Sequence, residues 1–216
     1  MQVTRLLAVR HGETAWNADG RIQGHLDIPL NEQGLWQAGR AGAALADESI
    51  GAIYASDLQR AWQTAQAIAQ AQPQPPIVQA DVRLRERAFG EFEGRSFAQI
   101  ETELPEDARR WRQRDPEFTP PGGGESLIQF RERVVPAAAE LAARHPGQLV
   151  LLVAHGGVMD LLYRAATAQE LQAPRSWQLG NATVNRLLWT PQGFSLVGWN
   201  DDAHLQQGTV LDESTS

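Results

Sequence analysis

The side chains of this chain best suited to do chemistry are two histidines, the arginines near them and one carboxylate. His11 follows Leu6-Leu7-Ala8-Val9-Arg10 and precedes Gly12-Glu13-Thr14. Far downstream, His155 follows Leu149-Val150-Leu151-Leu152-Val153-Ala154 and precedes Gly156-Gly157. An unbroken apolar run suits a strand covered on both faces, the usual state of a parallel strand in an α/β sheet. Ligands of such sheets bind just beyond the carboxyl ends of the strands. A lone histidine there is more often structural than catalytic. Two runs that each end in His-Gly, however, deliver two imidazoles and Arg10 to one sheet edge.

A second cation belongs to the same edge. Ile50 to Ala55 reads as another buried strand, and Ser56 with Gln59 has the spacing of a capping box, so a helix is expected to start there. Arg60 then falls in the first turn, beside free amides and the positive end of the helix dipole. A cation is disfavoured there unless an anion is bound. The segment Thr14 to Gly24 is polar and glycine-bearing and reads as a loop over the strand edge, where Asn17, Gln23 and the Gly24 backbone can donate to an anion beside His11. Among Glu86, Glu91 and Glu93, Glu86 stands closest after the strand Ile77 to Ala80 and is the better proton donor, while Glu91 reads as solvated.

Arginines and helix-start amides suit a phosphoryl dianion, and an imidazole among them can be its nucleophile. A carboxylic acid would protonate the departing oxygen and then activate water. With the arginines and a protonated His155 to neutralise the equatorial oxygens, no divalent metal is needed.

The elements that must position these groups follow from periodicity and punctuation. Asn31 caps a helix to about Ala46 with Leu35, Ala38, Gly42 and Leu45 on one face. The helix after Arg60 runs through Trp62, Ala65 and Ile68 to Pro73-Gln74-Pro75-Pro76. Ser96 with Gln99 and Ser126 with Gln129 form further capping boxes, and Pro105 to Arg114 is helical. The insert from about Phe89 to Glu125, with Phe97, Trp111 and Phe118, reads as a lid, and Gly122-Gly123-Gly124 as its hinge. A long helix from Ser126 to about Arg144 carries Pro136, and a helix over Val158 to Ala166 turns its first amides, including that of Gly156, toward the same edge. Thr183 to Trp189 and Phe194 to Trp199 form a closing hairpin whose tryptophans are compatible with a dimer face. One domain over residues 1–207 and a disordered acidic tail over 208–216 are expected.

Composition bounds the answer. A chain of 216 residues, 42% hydrophobic and 21% charged, is one domain with a sizeable core. Without cysteine there is no disulfide, thiolate site or cysteine nucleophile, which agrees with a reducing cytoplasm. The net charge of −7 disfavours nucleic acid and anionic membranes as partners, and no run is long enough to span a bilayer. All 19 basic residues are arginine. The lack of lysine removes a Walker A loop and Schiff-base chemistry, and leaves a cation suited to bidentate contact with phosphate.

Arg10-His11-Gly12-Glu13-Thr14 with Trp16-Asn17, Gln23-Gly24, Ser56-Asp57-Leu58-Gln59-Arg60-Ala61 with Gln63-Thr64-Ala65, Leu84-Arg85-Glu86, Glu93-Gly94, Gly124-Glu125-Ser126 and Ala154-His155-Gly156-Gly157 together resemble the histidine phosphatase superfamily, also called phosphoglycerate mutase-like. The match runs in order from about Leu6 to Asn185. The resemblance implies a three-layer α/β/α sandwich with a mostly parallel sheet and a short lid insert. It further implies a phosphohistidine at His11, a phosphate pocket from Arg10, Arg60 and His155 with Asn17, Gln23 and Gly24 contributing, and Glu86 as proton donor.

The short insert, its Phe89-Gly90-Glu91-Phe92-Glu93-Gly94 and the lack of lysine look like the phosphatase branch. The expected activity is therefore metal-independent hydrolysis of a small phosphorylated metabolite by a cytoplasmic monomer or homodimer, with no cofactor. A phosphoglycerate mutase, which would use 2,3-bisphosphoglycerate, is the alternative that Arg109-Arg110 keeps open. An inactive binding protein on the same fold would lack one of His11, Arg60, Glu86 or His155, and all are present. A metallohydrolase is weakly supported, because the five histidines show no His-x-x-x-His spacing. A serine hydrolase is weaker still, since Gly94-Arg95-Ser96-Phe97-Ala98 only approaches a nucleophile elbow.

Overall fold

The computed structural model describes residues 2–206. Its six strands are β1 (Thr4–Arg10), β2 (Ile50–Ala55), β3 (Val78–Ala80), β4 (Leu149–Ala154), β5 (Val184–Thr190) and β6 (Gly193–Asp201). They form one sheet in the order β3-β2-β4-β1-β5-β6. The first four strands run parallel, while β5 pairs antiparallel with β1 and forms the closing hairpin with β6.

Side chains alternate across a strand, so an apolar run without polar interruption needs cover on both sides. Leu6 and Ala8 join a cluster with Val134, Leu141, Val158 and Leu162, from helices α6 (Leu127–Ala143) and α7 (Gly156–Thr167). Leu7 and Val9 face Ala41 of α2 (Glu32–Ala44) and Ala61, Ala65 and Ile68 of α3 (Gln59–Gln70). The result is the three-layer α/β/α sandwich. β1 and β4 are neighbours with Arg10 opposite Ala154, yet the chain leaves β1 for α2 on one face and β4 for α7 on the other. That divergence opens a crevice at their carboxyl ends, where His11 and His155 stand.

Five helices differ from expectation or agree with it in instructive ways. The loop after His11 contains a one-turn helix, α1 (Ala15–Ala18), closed by reciprocal capping between Thr14 and Asn17. In α2 the buried residues are Gly34, Ala38, Ala41 and Gly42, whereas Leu35 is 54% exposed. The sandwich packs the small residues one position away from Leu35, because α2 must approach α3 closely. The boxes at Ser96 and Ser126 form as expected, opening α4 (Phe97–Glu103) and α6. The box at Ser56 does not form: the N-cap is Leu58, and the first amide of α3, on Gln59, donates instead to Asp27 Oδ1 at 2.7 Å.

The insert has a small core of its own, in which Phe92, Ile100, Ala108 and Phe118 are buried with Phe89, Phe97 and Trp111 packed against them. Its second helix is α5 (Pro105–Arg112). The triple glycine is a packed turn rather than a free hinge: Pro121 O accepts from Glu91 N at 2.8 Å, and Gly122 has φ 75°. Trp189 and Trp199 pack partly against the sheet cluster, and Trp199 Nε1 donates to Gln178 O at 2.9 Å. The expected tail lies outside the described residues. No helix among the described residues is long and apolar enough to cross a membrane.

Candidate active site

His11 is 3% exposed and His155 is fully buried, with ring centroids 5.2 Å apart. His11 Nδ1 lies 2.7 Å from Gly12 O. A carbonyl can only accept, so this contact places the ring proton on Nδ1 and the lone pair on Nε2. Burial, with Arg60 and Arg10 close by, holds His11 well below the usual histidine range, which keeps that lone pair available. Around it, Asn181 Nδ2 donates to His11 O at 3.0 Å, and Gly12 N donates to Thr64 Oγ1 at 3.0 Å. Neither Asn181 nor Thr64 advertised itself as a positioning residue in the sequence, because each serves a main-chain atom and carries no charge.

Ser56, freed from capping, lies with Oγ 2.8 Å from His155 Nε2. With the serine hydroxyl donating, the imidazole proton sits on Nδ1, a buried atom with no partner among the described residues. Burial is the main reason that His155 is held well below its ordinary value, Arg60 the next. The expectation of a protonated His155 is thus corrected for the free protein: the ring is neutral and offers one N–H.

The arginines show the same incompleteness. Arg60 is 1% exposed and gives its two Nη groups to the main chain, to Leu26 O at 2.9 Å and Gly24 O at 2.8 Å. Arg10 Nη1 donates to Leu179 O. Arg60 Nε and Arg10 Nε are buried without an acceptor among the described residues. Burial lowers Arg60 to about 10, so it remains cationic at neutral pH. Neutral carbonyls orient these guanidinium groups without neutralising them, and an anion accepting both Nε–H groups would complete them.

A cavity of about 170 Å³ joins these groups, lined by Arg10, His11, Asn17, Gln23, Gly24, Arg60 and Glu86, with Arg21, Ile22 and Phe89 at its wall. Asn17 Oδ1 is occupied by Thr14 and Gln23 Oε1 accepts from Thr14 Oγ1 at 2.9 Å, which leaves both side-chain amides as donors. Gly156 packs on Arg10 at the start of α7. Glu86 is held by two amides, Arg87 N to Oε1 at 2.9 Å and Gly157 N to Oε2 at 3.0 Å. A Cβ on Gly157 would lie 2.2 Å from Glu86 Oε1, so only glycine admits the carboxylate here. Behind it, His25 Nε2 at 2.8 Å and Arg133 Nη2 at 3.0 Å both meet Glu86 O. Arg10, His11, Asn17, Gln23, Gly24, Arg60 and Glu86 therefore line one cavity, His155 and Gly156 stand beside it, and Ser56, Asn181, His25 and Arg133 brace these groups. Among the described residues no cluster of three or more His, Asp or Glu could hold a metal ion.

The arrangement can receive a tetrahedral dianion, attack it from Nε2 of one imidazole and exchange a proton with a carboxyl group at its rim. Known proteins resemble this chain over nearly its whole length. The chain is 37% identical over 205 residues to a metal-independent phosphoserine phosphatase of Arabidopsis thaliana, covering 94% of this chain and 84% of that one. It is 35% identical over 218 residues to a glucosyl-3-phosphoglycerate phosphatase of Mycobacterium tuberculosis, covering 94% of each. The solved structure of Bacillus stearothermophilus YhfR superposes with a TM-score of 0.86 at 31% identity, over 94% of this chain and 100% of that one. The family described as histidine phosphatase superfamily (branch 1) matches residues 6–202, and this chain therefore belongs to the histidine phosphatase superfamily.

Proposed function

We propose that this protein hydrolyses phosphomonoesters of small metabolites without a metal, through a phosphohistidine on His11. The observation that carries the reading is the 2.7 Å contact of His11 Nδ1 with Gly12 O, which aims an Nε2 lone pair into a cavity walled by two unneutralised guanidinium groups. In the first step Nε2 attacks phosphorus and the bond to the ester oxygen breaks. Glu86, as the acid, gives that oxygen its proton. In the second step Glu86 carboxylate takes a proton from water, the water oxygen attacks phosphorus and the P–N bond breaks, which returns His11 and inorganic phosphate. Arg10, Arg60, the Nδ1–H of His155, the amides of Asn17 and Gln23 and the backbone of Gly24 and Gly156 hold the equatorial oxygens through both steps.

The phosphatase names of two relatives support water as the acceptor. The mutase alternative rested on Arg109 and Arg110. Arg109 pairs with Glu106 and Gln113, and Arg110 with Asp115 while lying 5.0 Å over the Phe118 ring. Neither lines the cavity. The deciding assay gives the protein 3-phosphoglycerate primed with a trace of 2,3-bisphosphoglycerate, in EDTA, and follows phosphate and 2-phosphoglycerate together, with p-nitrophenyl phosphate in parallel. Phosphate release without isomer is expected. Rapid isomer formation with little phosphate would establish the mutase instead, and loss of all activity in EDTA would overturn the metal-independent mechanism.

A further inference from the structure

We propose that a second cavity beyond Glu86 is a carboxylate subsite for the leaving alcohol, with Arg175 as its principal cation and Arg114 as its support. The proposal rests on the phosphohistidine reading and names its substrate class: phosphomonoesters whose alcohol carries a carboxylate.

Glu86 and Phe89 line both the phosphate pocket and an adjoining cavity of about 270 Å³. An alcohol that takes its proton from Glu86 can therefore extend into that cavity. Trp111, Leu127 and Phe130 give it apolar wall, and its charged members besides Glu86 are Arg87, Arg114, Asp160 and Arg175.

The hydrogen bonds of these groups tell which are free. Arg87 gives Nε to Glu125 O at 2.7 Å and Nη2 to Phe118 O at 2.9 Å, so it is a brace between the insert and the body. Arg114 gives Nε to Leu171 O and Nη2 to Asp160 Oδ2, both at 2.8 Å, and keeps Nη1. Asp160 Oδ2 is shared with Arg164 Nε at 3.0 Å, so a single carboxylate already faces two arginines. Arg175 has no hydrogen bond or ion pair with any described residue. It lines this cavity and also the cleft beside Arg10, Gly156 and Gly157. A solvated surface arginine would be the ordinary account of such a residue. What distinguishes Arg175 is that it lines both cavities that adjoin the phosphate pocket, at Arg10 on one side and at Glu86 on the other.

Two further features belong to the same wall. Arg114 holds φ 52°, a left-handed conformation that is unfavourable for a residue with a side chain and persists only where surrounding contacts enforce it. Here it turns the side chain back from the end of the insert to Leu171 and Asp160. Asp160 Oδ1 is buried without a partner among the described residues, an acceptor for a hydroxyl or ammonium on the same alcohol. The charge balance favours one negative charge rather than two. One free guanidinium suits a carboxylate, while Asp160 and Glu86 in the same wall oppose a second phosphate.

The test compares 3-phosphoglycerate with glycerol 3-phosphate, which differ only by carboxylate against hydroxymethyl at C1. The wild-type protein is expected to favour 3-phosphoglycerate in kcat/KM by about tenfold or more, the scale of one charge-assisted hydrogen-bonded pair. Arg175→Gln should collapse that ratio, through KM for 3-phosphoglycerate, and Arg175→Lys should restore part of it. A ratio near one in the wild type, or equal loss on both esters in the variant, overturns the subsite. Calorimetric binding of both esters to a His11→Ala background, with and without Arg175→Gln, reads the same preference without turnover. Absence of turnover on every ester combined with a carboxylate preference in binding would sink the phosphohistidine reading alone; turnover without preference in either arm would sink the subsite alone.

Discussion

Arg60 and Arg109 are the same cation treated in opposite ways by two regions of one chain. At the crevice, Arg60 is buried, is held by the carbonyls of Gly24 and Leu26, and keeps Nε without a partner. On the insert, Arg109 is exposed and pairs with Glu106, as Arg95 pairs with Glu103 at 2.7 Å and Arg112 with Glu101 at 2.9 Å. The exposed pairs sit in water and salt, where they contribute little to stability. The buried cations keep their positive field in a place where it is costly, because carbonyls position a guanidinium without cancelling its charge. Incomplete neutralisation, not arginine content, is therefore what distinguishes the crevice from the insert.

The largest effect that tests this contrast is on the nucleophile. His11→Ala should lower turnover of p-nitrophenyl phosphate by about 10⁴-fold or more while the protein remains folded by circular dichroism. Substantial retained activity would remove the phosphohistidine from the mechanism. Next comes Arg60→Ala, for which a loss of about 10²–10³-fold in kcat/KM is expected because a transition-state charge loses a preorganised partner. A loss confined to a few-fold would mean that the carbonyl-held arginine is only structural.

Glu86→Gln divides substrates. Alkyl phosphates, with poor leaving groups, should slow by about 10²-fold or more, and p-nitrophenyl phosphate much less, since nitrophenolate leaves without a proton. Equal slowing of both would show that Glu86 orients water but donates nothing.

A smaller effect concerns pH and stability. Both histidines of the crevice, His11 and His155, are held well below their ordinary value, chiefly by burial and then by Arg60. In the unfolded chain they titrate near 6.5, so above that pH neither state binds the protons and no penalty arises. As pH falls below about 6.5 the unfolded chain takes up protons that the native ring refuses, at about 1.4 kcal/mol per pH unit per histidine. Melting temperatures should therefore drop between pH 7 and pH 5 in a phosphate-free buffer. The drop should be shallower in His155→Asn, and shallower in wild type when inorganic phosphate supplies the missing charge. Identical slopes for wild type and His155→Asn would break the assignment. The smallest effect completes the comparison: Arg109→Ala should leave both melting temperature and kcat/KM within error, and a marked rise in KM would bring the insert into the binding site.

Much of this was legible in the sequence because it depends on local chemistry. Unbroken apolar runs declare strands buried on both faces, and a run that ends at His11 or His155 declares which end of the sheet is used. Asn31, Ser96 and Ser126 declared helix starts that need only their own amides. Ser56 has the same local signature, yet it serves His155 from a distant strand, while Asp27 takes over the cap of α3. Leu35 sits at helical spacing for the core and is exposed, since the partner helix approaches along the glycine and alanine stripe next to it.

The α/β layering, the two His-Gly edges, Arg60 in a helix's first turn and a carboxylate at Glu86 beside the same edge were readable from the chain alone. Those follow from periodicity, capping and the cost of placing a cation by positive amides, all of which act within a few residues. The fold had to be known before His11 could be given its proton on Nδ1, His155 read as neutral in the free protein, and Arg175 placed on the cavity beyond Glu86. Those depend on which carbonyl, hydroxyl or charge arrives from elsewhere in the chain. Hydrogen bonds and Coulomb interactions respond to distance in space, and separation in sequence does not encode it.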